Sequence, residues 1–193
     1  MKRSAWKYLW TAKDIRRKIL FTLGILILYR FLAHVVVPGV NKDAINYILE
    51  SGGAAASLLS LTDMISGGTI LNFSVMAMGV YPYITGQIIL QLLVPIIPAL
   101  QAKMEEDPRE GKKWMERWTY LLAIPMAALQ AIAQITIFNS FETPVGAVLE
   151  NFSFSGATLL PSITIVVSMT AGTMFAIWLG ELISEYGLKN QGL

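Results

Sequence analysis

The fold of this chain is decided by an uncharged stretch between Asp63 and Lys103, which reads MISGGTILNFSVMAMGVYPYITGQIILQLLVPIIPALQA over residues 64–102. A helix needs roughly 20 apolar residues to cross a bilayer core, so this stretch is much longer than one spanning helix requires. Gly67 and Gly68 offer a break, and the apolar run before them is too short to span. The pattern predicts a short re-entrant half-helix followed by a membrane span. A surface loop made flexible by the two glycines is the alternative.

The composition of the whole chain is that of a membrane protein. Its 193 residues are 54% hydrophobic and 15% charged, and the mean hydropathy is +0.55, which is too apolar for an ordinary soluble domain. We therefore predict an all-α polytopic membrane protein with four transmembrane helices and a short half-helix near residues 57–71. The four predicted spans are residues 19–37, 72–98, 118–138 and 159–180.

The distribution of basic residues predicts the topology. The basic segments are 1–18 and 99–117, and the segments almost or wholly without Lys and Arg are 38–71 and 139–158. Basic loops stay on the cytoplasmic side of a membrane, so the amino terminus should be cytoplasmic and the other two segments external. Four spans then return the tail, residues 181–193, to the cytoplasm.

One face of the predicted second span could line a pore. Val80, Ile84, Gln87 and Gln91 follow a 4, 3, 4 spacing, which places them together on a helix of 3.6 residues per turn. With the helix entering at residue 72, Val80 and Ile84 lie near the membrane midplane and the glutamines nearer the cytoplasm. Such a face suits a dry constriction beside a wet vestibule. Ordinary packing, with the amides bonded to a neighbouring helix, is the alternative.

Two further patterns concern the packing of the fourth span and the polar residues of the first. The fourth span carries small residues at every fourth position, Ser168, Gly172, Ala176 and Gly180. Small residues let another backbone approach closely, so this span should be mainly a packing element. Arg30 and His34 lie four residues apart in the outer half of the first span, where they should snorkel or cap neighbouring carbonyl groups.

The chain lacks the residues that catalysis requires. None of the four predicted spans contains Asp or Glu, and a reaction needs a convergent acid, base and nucleophile, so no catalytic residue is assigned. The chain has no Cys and a single histidine, His34, so neither a metal site nor another cofactor is expected. Because no Walker-type phosphate loop occurs, any energy source must come from a partner.

Three stretches resemble the SecY family, whose members form the channel of the bacterial protein translocase. The stretches are RRKILFTLGILILYRFLAHVVVPGVN at 16–41, MISGGTILNFSVMAMGVYPYITGQIILQLL at 64–93 and GTMFAIWLGELISEYG at 172–187. The first is similar to the first span of that family. The second resembles its plug followed by its second span, and the third resembles the end of its fourth span with the cytoplasmic loop beyond.

This resemblance implies roles for individual residues. Val80 and Ile84 would contribute to a hydrophobic pore ring that seals around a translocating chain. The implied plug residues are Leu58, Leu59, Leu61, Met64, Ile65, Ser66, Gly67 and Gly68. Thr85, Gln87 and Gln91 would belong to the lateral gate or the vestibule, since the second and third spans border that gate.

The resemblance also implies a function and partners. A SecY channel moves unfolded secretory chains across the bacterial plasma (inner) membrane and releases apolar segments sideways into lipid, driven by the SecA ATPase or a translating ribosome. It works with the SecE and SecG subunits, binds signal peptides, nascent polypeptides and membrane lipids, has no direct nucleic-acid partner, and is not an enzyme.

Two other functions remain open on the residues alone. A broken helix could instead form the midplane site of a small-solute secondary transporter, and the fourth span could make the chain a noncatalytic assembly subunit. The family has about ten spans in two inverted repeats, and the resemblance stops before the fifth. We therefore expect a fragment, or a half-channel that a partner completes, corresponding to the first repeat without its fifth helix.

Overall fold

The computed structural model describes residues 13–141, 143–149 and 152–187, and their regular structure is helical. This confirms the all-α prediction for those ranges, which contain two isolated β-bridges and no strand. The helices are α1 (Lys13–Leu32), α2 (Lys42–Glu50), α3 (Ala54–Ser66), α4 (Tyr81–Ile96), α5 (Pro98–Glu106), α6 (Pro108–Asn139) and α7 (Leu159–Tyr186), with a 3-10 turn at Gly156–Thr158. The first twelve residues of the predicted basic terminus and the last six of the predicted tail lie outside the described residues.

Among the described residues, two helices, α6 and α7, are long and apolar enough to cross a membrane. The pair α4 and α5 would supply a third span if the two count as one, although they are bent by 97°. The first helix does not qualify, because its early turns carry basic residues and Arg30 lies in its last turn. The protein is therefore polytopic and helical, and the count of four spans stays a prediction.

The first helix ends at Leu32, before the predicted limit of residue 37. The chain then runs extended through β-branched valines, and its backbone pairs with a later segment. Val37 N–H donates to the carbonyl of Phe73 over 3.0 Å, and Val75 N–H donates to that of Val35 over 3.0 Å.

The second predicted span, residues 72–98, starts much later than expected. Helix α4 begins at Tyr81, with Pro82 in its first turn, where proline is favoured because its missing N–H has no helical partner. Residues 69–80 form turns instead, and Phe73 and Gly79 have φ values of 44° and 53°. This segment is largely buried. An apolar run can therefore be buried nonhelical backbone as well as helix, and hydropathy alone does not separate the two.

The predicted cytoplasmic loop, residues 99–117, is mostly helical. Ile97 is extended because it precedes a proline, and Pro98 starts α5. Asp107 caps α6, since its carboxylate accepts from Arg109 N–H at 3.0 Å and Glu110 N–H at 3.2 Å. The segment is therefore largely helical, and its place on the cytoplasmic side stays a prediction.

Most buried apolar side chains gather where the interhelical segments meet the ends of α6 and α7. We call this cluster the loop core, and its members are Val37, Ala44, Ile45, Ile48, Phe73, Ala77, Met78, Ala131, Ile135, Phe138, Val148, Leu149, Ile165 and Met169. Asn139 fixes the segment after α6, because its side chain accepts from Leu149 N–H at 2.9 Å and donates to the Leu149 carbonyl at 3.2 Å. The loop core thus joins both predicted external segments.

Small residues set the spacing of the helices. A buried stripe on α6 recurs every four residues, Thr119, Ala123, Ala127, Ala131 and Ile135. Helix α4 approaches it at Gly86, where an added Cβ would lie 3.5 Å from the Thr119 carbonyl oxygen. On α7 a Cβ at Gly172 would overlap the Val75 carbonyl. The predicted packing role is therefore confirmed at Gly172, whereas Gly180 has open space around it.

Candidate functional site

A groove of about 720 Å³ lies between α4, α6 and α7. Its walls come from the start of α4, the early turns of α6 and the last turns of α7. The lining residues are Val80, Tyr83, Ile84, Gln87, Glu116, Tyr120, Ile177, Gly180, Glu181, Ser184 and Glu185. The close approach of α4 to α6 at Gly86 brings these walls together.

The lining of the groove is apolar in one part and polar in another. Val80 and Ile84 are both partly exposed there, opposite the buried Ile177. The polar lining comes from Gln87 on α4, from Glu116 on α6 and from the last turns of α7, with carboxylates at Glu181 and Glu185. A wall of this kind can hold water along its polar part and exclude it from its apolar part.

Two aromatic rings close the wall between α4 and α6. The rings of Tyr83 and Tyr120 have centroids 5.4 Å apart in a tilted arrangement. Tilted and offset aromatic pairs are favourable beyond the area that they bury. The pair therefore helps to fix the start of α4 against α6.

The structure brings together three of the residues that the spacing argument selected. Val80, Ile84 and Gln87 all line the groove. Thr85 and Gln91 are not among the lining residues, and the Thr85 hydroxyl donates to the Tyr81 carbonyl of its own helix at 3.0 Å. Val80 precedes the first residue of α4, so the shared face begins in a turn. Because residues 72–80 are not helical, the midplane depth expected for Val80 and Ile84 does not follow from a helix that enters at residue 72.

Sequence reasoning missed the acidic and aromatic residues of the groove. A signal was present, because Glu116 and Tyr120 are four apart on α6 and Glu181 and Glu185 are four apart on α7, so each pair shares a face. The sequence did not tell which face of either helix turns toward α4.

The predicted half-helix corresponds in position to α3. It ends at Ser66, and Gly67 and Gly68 follow in left-handed conformations with φ of 76° and 83°. We call Leu58, Leu61 and Met64 the apolar face of α3, and all three are exposed. Leu59 packs instead against the loop core. Helix α3 is therefore attached along one side and open along another.

Side chains from two helices hold the end of α3. Arg30 of α1 donates through Nη1 to the Gly67 carbonyl. The Asp63 carboxylate accepts from Ile70 N–H at 3.0 Å and Leu71 N–H at 2.9 Å. His34 Nδ1 lies 2.8 Å from the Arg30 carbonyl oxygen. Of the two roles expected for Arg30 and His34, snorkelling or capping, the structure shows contacts with carbonyl groups, and the carbonyl that Arg30 binds lies 37 residues away in the chain.

A second groove, of about 830 Å³, runs between α1 and α7. Basic side chains at Arg17 and Lys18 lie beside the rings of Phe21, Trp178 and Tyr186.

Within the described ranges, no three His, Cys, Asp or Glu residues are grouped so as to hold a metal ion.

Helices of spanning length around an amphipathic groove define a polytopic membrane protein with a path or binding surface between its helices. The family model SecY matches residues 74–192, and the chain therefore belongs to the SecY family. This confirms the resemblance drawn from the sequence.

Several bacterial proteins with the name protein translocase subunit SecY are similar to this chain. The one from Streptomyces scabiei is 36% identical over 177 residues, that from Streptomyces coelicolor 34% over 177 residues, and that from Mycobacterium tuberculosis 38% over 182 residues. Each match covers 92% of this chain and 40% of the relative. The chain thus spans two fifths of the length of these relatives.

Proposed function

We propose that this chain forms one part of a Sec protein-conducting channel, which moves unfolded secretory polypeptides across the bacterial plasma membrane and releases apolar segments sideways into lipid. The observation that carries the proposal is the groove, which is apolar at Val80 and Ile84 and acidic at Glu116 and Glu181. Membership in the SecY family supports the same function.

The apolar part of the groove would be this chain's share of the pore ring. Exposed Val80 and Ile84 side chains present branched hydrocarbon without hydrogen-bonding groups, and a narrow passage with such walls excludes water and ions. A polypeptide can pass such a ring because its walls offer no hydrogen-bonding group that would hold a particular side chain. The polar part, with Gln87 and the carboxylates, would form a cytoplasmic vestibule.

Helix α3 would be the plug that occupies the resting pore from outside. Its apolar face is available for contact with a pore ring, and the two left-handed glycines allow the chain to turn sharply at its end. The plug residues would be Leu58, Leu59, Leu61, Met64, Ile65, Ser66, Gly67 and Gly68. The four-span topology with a cytoplasmic amino terminus belongs to this proposal.

The lateral gate would run along α4 and α6. Ile88, Leu92 and Ile96 form an exposed apolar edge of α4, suited to an apolar segment that leaves the pore for lipid. Thr85, Gln87 and Gln91 lie on the same helix and would border this exit.

The channel would act with partners and would catalyse no reaction. These partners are the SecE and SecG subunits, the SecA ATPase or the ribosome as the driving component, signal peptides and nascent chains as cargo, and membrane lipids. No nucleic acid and no cofactor would bind directly. A small-solute transporter is less well supported, because the glycine break at Gly67 does not line the groove.

The test is to fill the groove. Gly180 lines it and has no atom within 4 Å of an added Cβ, so Gly180→Trp should obstruct the path without disturbing packing. Gly24 on α1 is equally open and lies outside the groove, which makes Gly24→Trp the matched control. Both variants are placed in a chimera that joins this chain to the remaining part of the Mycobacterium tuberculosis relative.

Translocation is measured as protease protection of a secretory reporter inside membrane vesicles. We expect Gly180→Trp to remove most of the protected reporter and Gly24→Trp to leave the protected amount unchanged. Equal translocation by both variants would contradict a polypeptide path through this groove.

A further inference from the structure

Arg30 connects the last turn of α1 to the point where α3 ends. Its Nη1 donates to the Gly67 carbonyl, and a Cβ added to Gly68 would lie 3.8 Å from the same nitrogen. The two contact points are separated by more than thirty residues of chain. The contact is therefore a tertiary link between α1 and the glycine break.

The electrostatics of this link favour a cation. The Gly67 carbonyl belongs to the carboxyl-terminal end of α3, where unpaired carbonyls and the helix dipole give partial negative charge. A guanidinium keeps its charge at all accessible pH values and makes stronger hydrogen bonds than a neutral donor. Arginine at this position thus binds the end of α3 by both hydrogen bond and charge.

The other contacts at the break act inside one segment. Asp63 accepts from Ile70 and Leu71 N–H, and Gly68 N–H donates to the Asp63 carbonyl over 2.9 Å. These bonds fix the shape of the turn after α3 and would travel with it. Arg30 differs from them, because it ties the turn to a separate helix.

We propose that Arg30 is a latch that holds α3 in its resting position, and that α3 can move only when the Arg30–Gly67 bond opens. The inference rests on the proposed function, in which α3 is the plug. On the other side, the face formed by Leu58, Leu61 and Met64 is exposed. A guanidinium without a partner is costly inside a membrane, so the bond re-forms when the pore empties, and Arg30 snorkels toward water while it is open.

The test uses the chimera described above and measures ion conductance of the resting channel in planar bilayers. The variants are Arg30→Ala, which removes the donor and the charge, and Arg30→Lys, which keeps the charge on a single point donor. Arg16→Ala is the matched control, since Arg16 is an exposed arginine on the same helix. A channel lacking residues 57–66 shows the conductance of an unplugged pore.

The latch predicts that Arg30→Ala raises resting conductance toward that of the shortened channel, that Arg30→Lys restores part of the seal, and that Arg16→Ala equals the parent. Amide hydrogen exchange at residues 64–68 should also become faster in Arg30→Ala. If Arg30→Ala prevents insertion, Arg30→Gln, which keeps a neutral donor, is measured in its place and should lie between parent and shortened channel.

The outcomes separate the latch from the plug. A shortened channel that leaks while Arg30→Ala and Arg30→Gln stay sealed would overturn the latch and leave the plug intact. A shortened channel that stays sealed would overturn the plug, and the latch with it. Leakage in Arg30→Ala without faster exchange at residues 64–68 would show that Arg30 acts elsewhere, which also overturns the latch.

Discussion

Two neighbouring segments, α3 and residues 69–78, have similar apolar compositions and opposite environments. In α3 the side chains of Leu58, Leu61 and Met64 are 65%, 59% and 82% exposed. In the following segment Phe73 and Ser74 are 0% exposed. Only the two glycines at the break separate the two.

The difference comes from how each backbone satisfies its hydrogen bonds. A helix such as α3 pairs its N–H and C=O groups internally, so it keeps its shape with few outside contacts. Residues 69–78 have no continuous helix and find hydrogen-bond partners at the end of α1 and in the chain after it. The Ser74 hydroxyl donates to the Leu32 carbonyl at 3.2 Å, and Val75 N–H donates to the Val35 carbonyl at 3.0 Å. The second segment is therefore fixed by its surroundings, whereas α3 keeps its own shape and is attached only along one side and at its end.

The largest effect, a loss of folded protein, is expected when the contact between α7 and residues 69–78 is disrupted. Gly172→Leu would place a side chain on the Val75 carbonyl, which close-packed surroundings do not accommodate. We expect loss of folded protein, measured as the monodisperse fraction in size-exclusion chromatography after detergent extraction. Gly180→Leu is the control, and similar recovery of both variants would show that this contact is dispensable.

A smaller effect is expected when the centre of the loop core is emptied. Phe73 is fully buried and its ring lies edge-on to Phe138 with centroids 5.2 Å apart. Truncation of a buried Phe to Ala typically costs about 3 to 5 kcal/mol, so Phe73→Ala should lower the free energy of unfolding by that amount in a denaturant titration. A loss of less than about 1 kcal/mol would mean that the segment is not held by its burial.

The smallest effect is expected on α3 itself. Leu61→Ala removes a side chain that is mostly exposed, and such changes usually alter stability by no more than about 0.5 kcal/mol. The same titration measures it against Phe73→Ala. If the two variants were equally destabilising, the contrast between the segments would disappear.

Sequence reasoning located the elements that carry local signals. The glycine pair at 67–68 follows the end of a helix, as the predicted break requires. Pro98 and Asp107 mark the starts of α5 and α6, and both residue types are typical of helix starts. The prediction of a span from residue 72 is wrong about the conformation of residues 72–80, because hydropathy does not distinguish a helix from buried turns. The conformation of this segment depends on partners at Val35 and Val37, which are distant in the chain.

The candidate site was predictable only in the part that lies on one element. The spacing of Val80, Ile84 and Gln87 placed them on a common face, because that argument needs only the helical period. Glu116 and Glu181 come from different helices, and their meeting depends on how α6 and α7 pack through small residues. No single-sequence pattern sets that rotation.

The groove between α4, α6 and α7 is the proposed polypeptide path. A photo-crosslinking residue is introduced at Ile84, which lines the groove, or at Leu129, which is similarly exposed on α6 but lies outside it. Each chimera is loaded with a secretory chain stalled during translocation and then irradiated. If the groove is the path, the stalled chain is crosslinked to Ile84 and not to Leu129. Equal crosslinking at both positions, or none at Ile84, would contradict the proposed path.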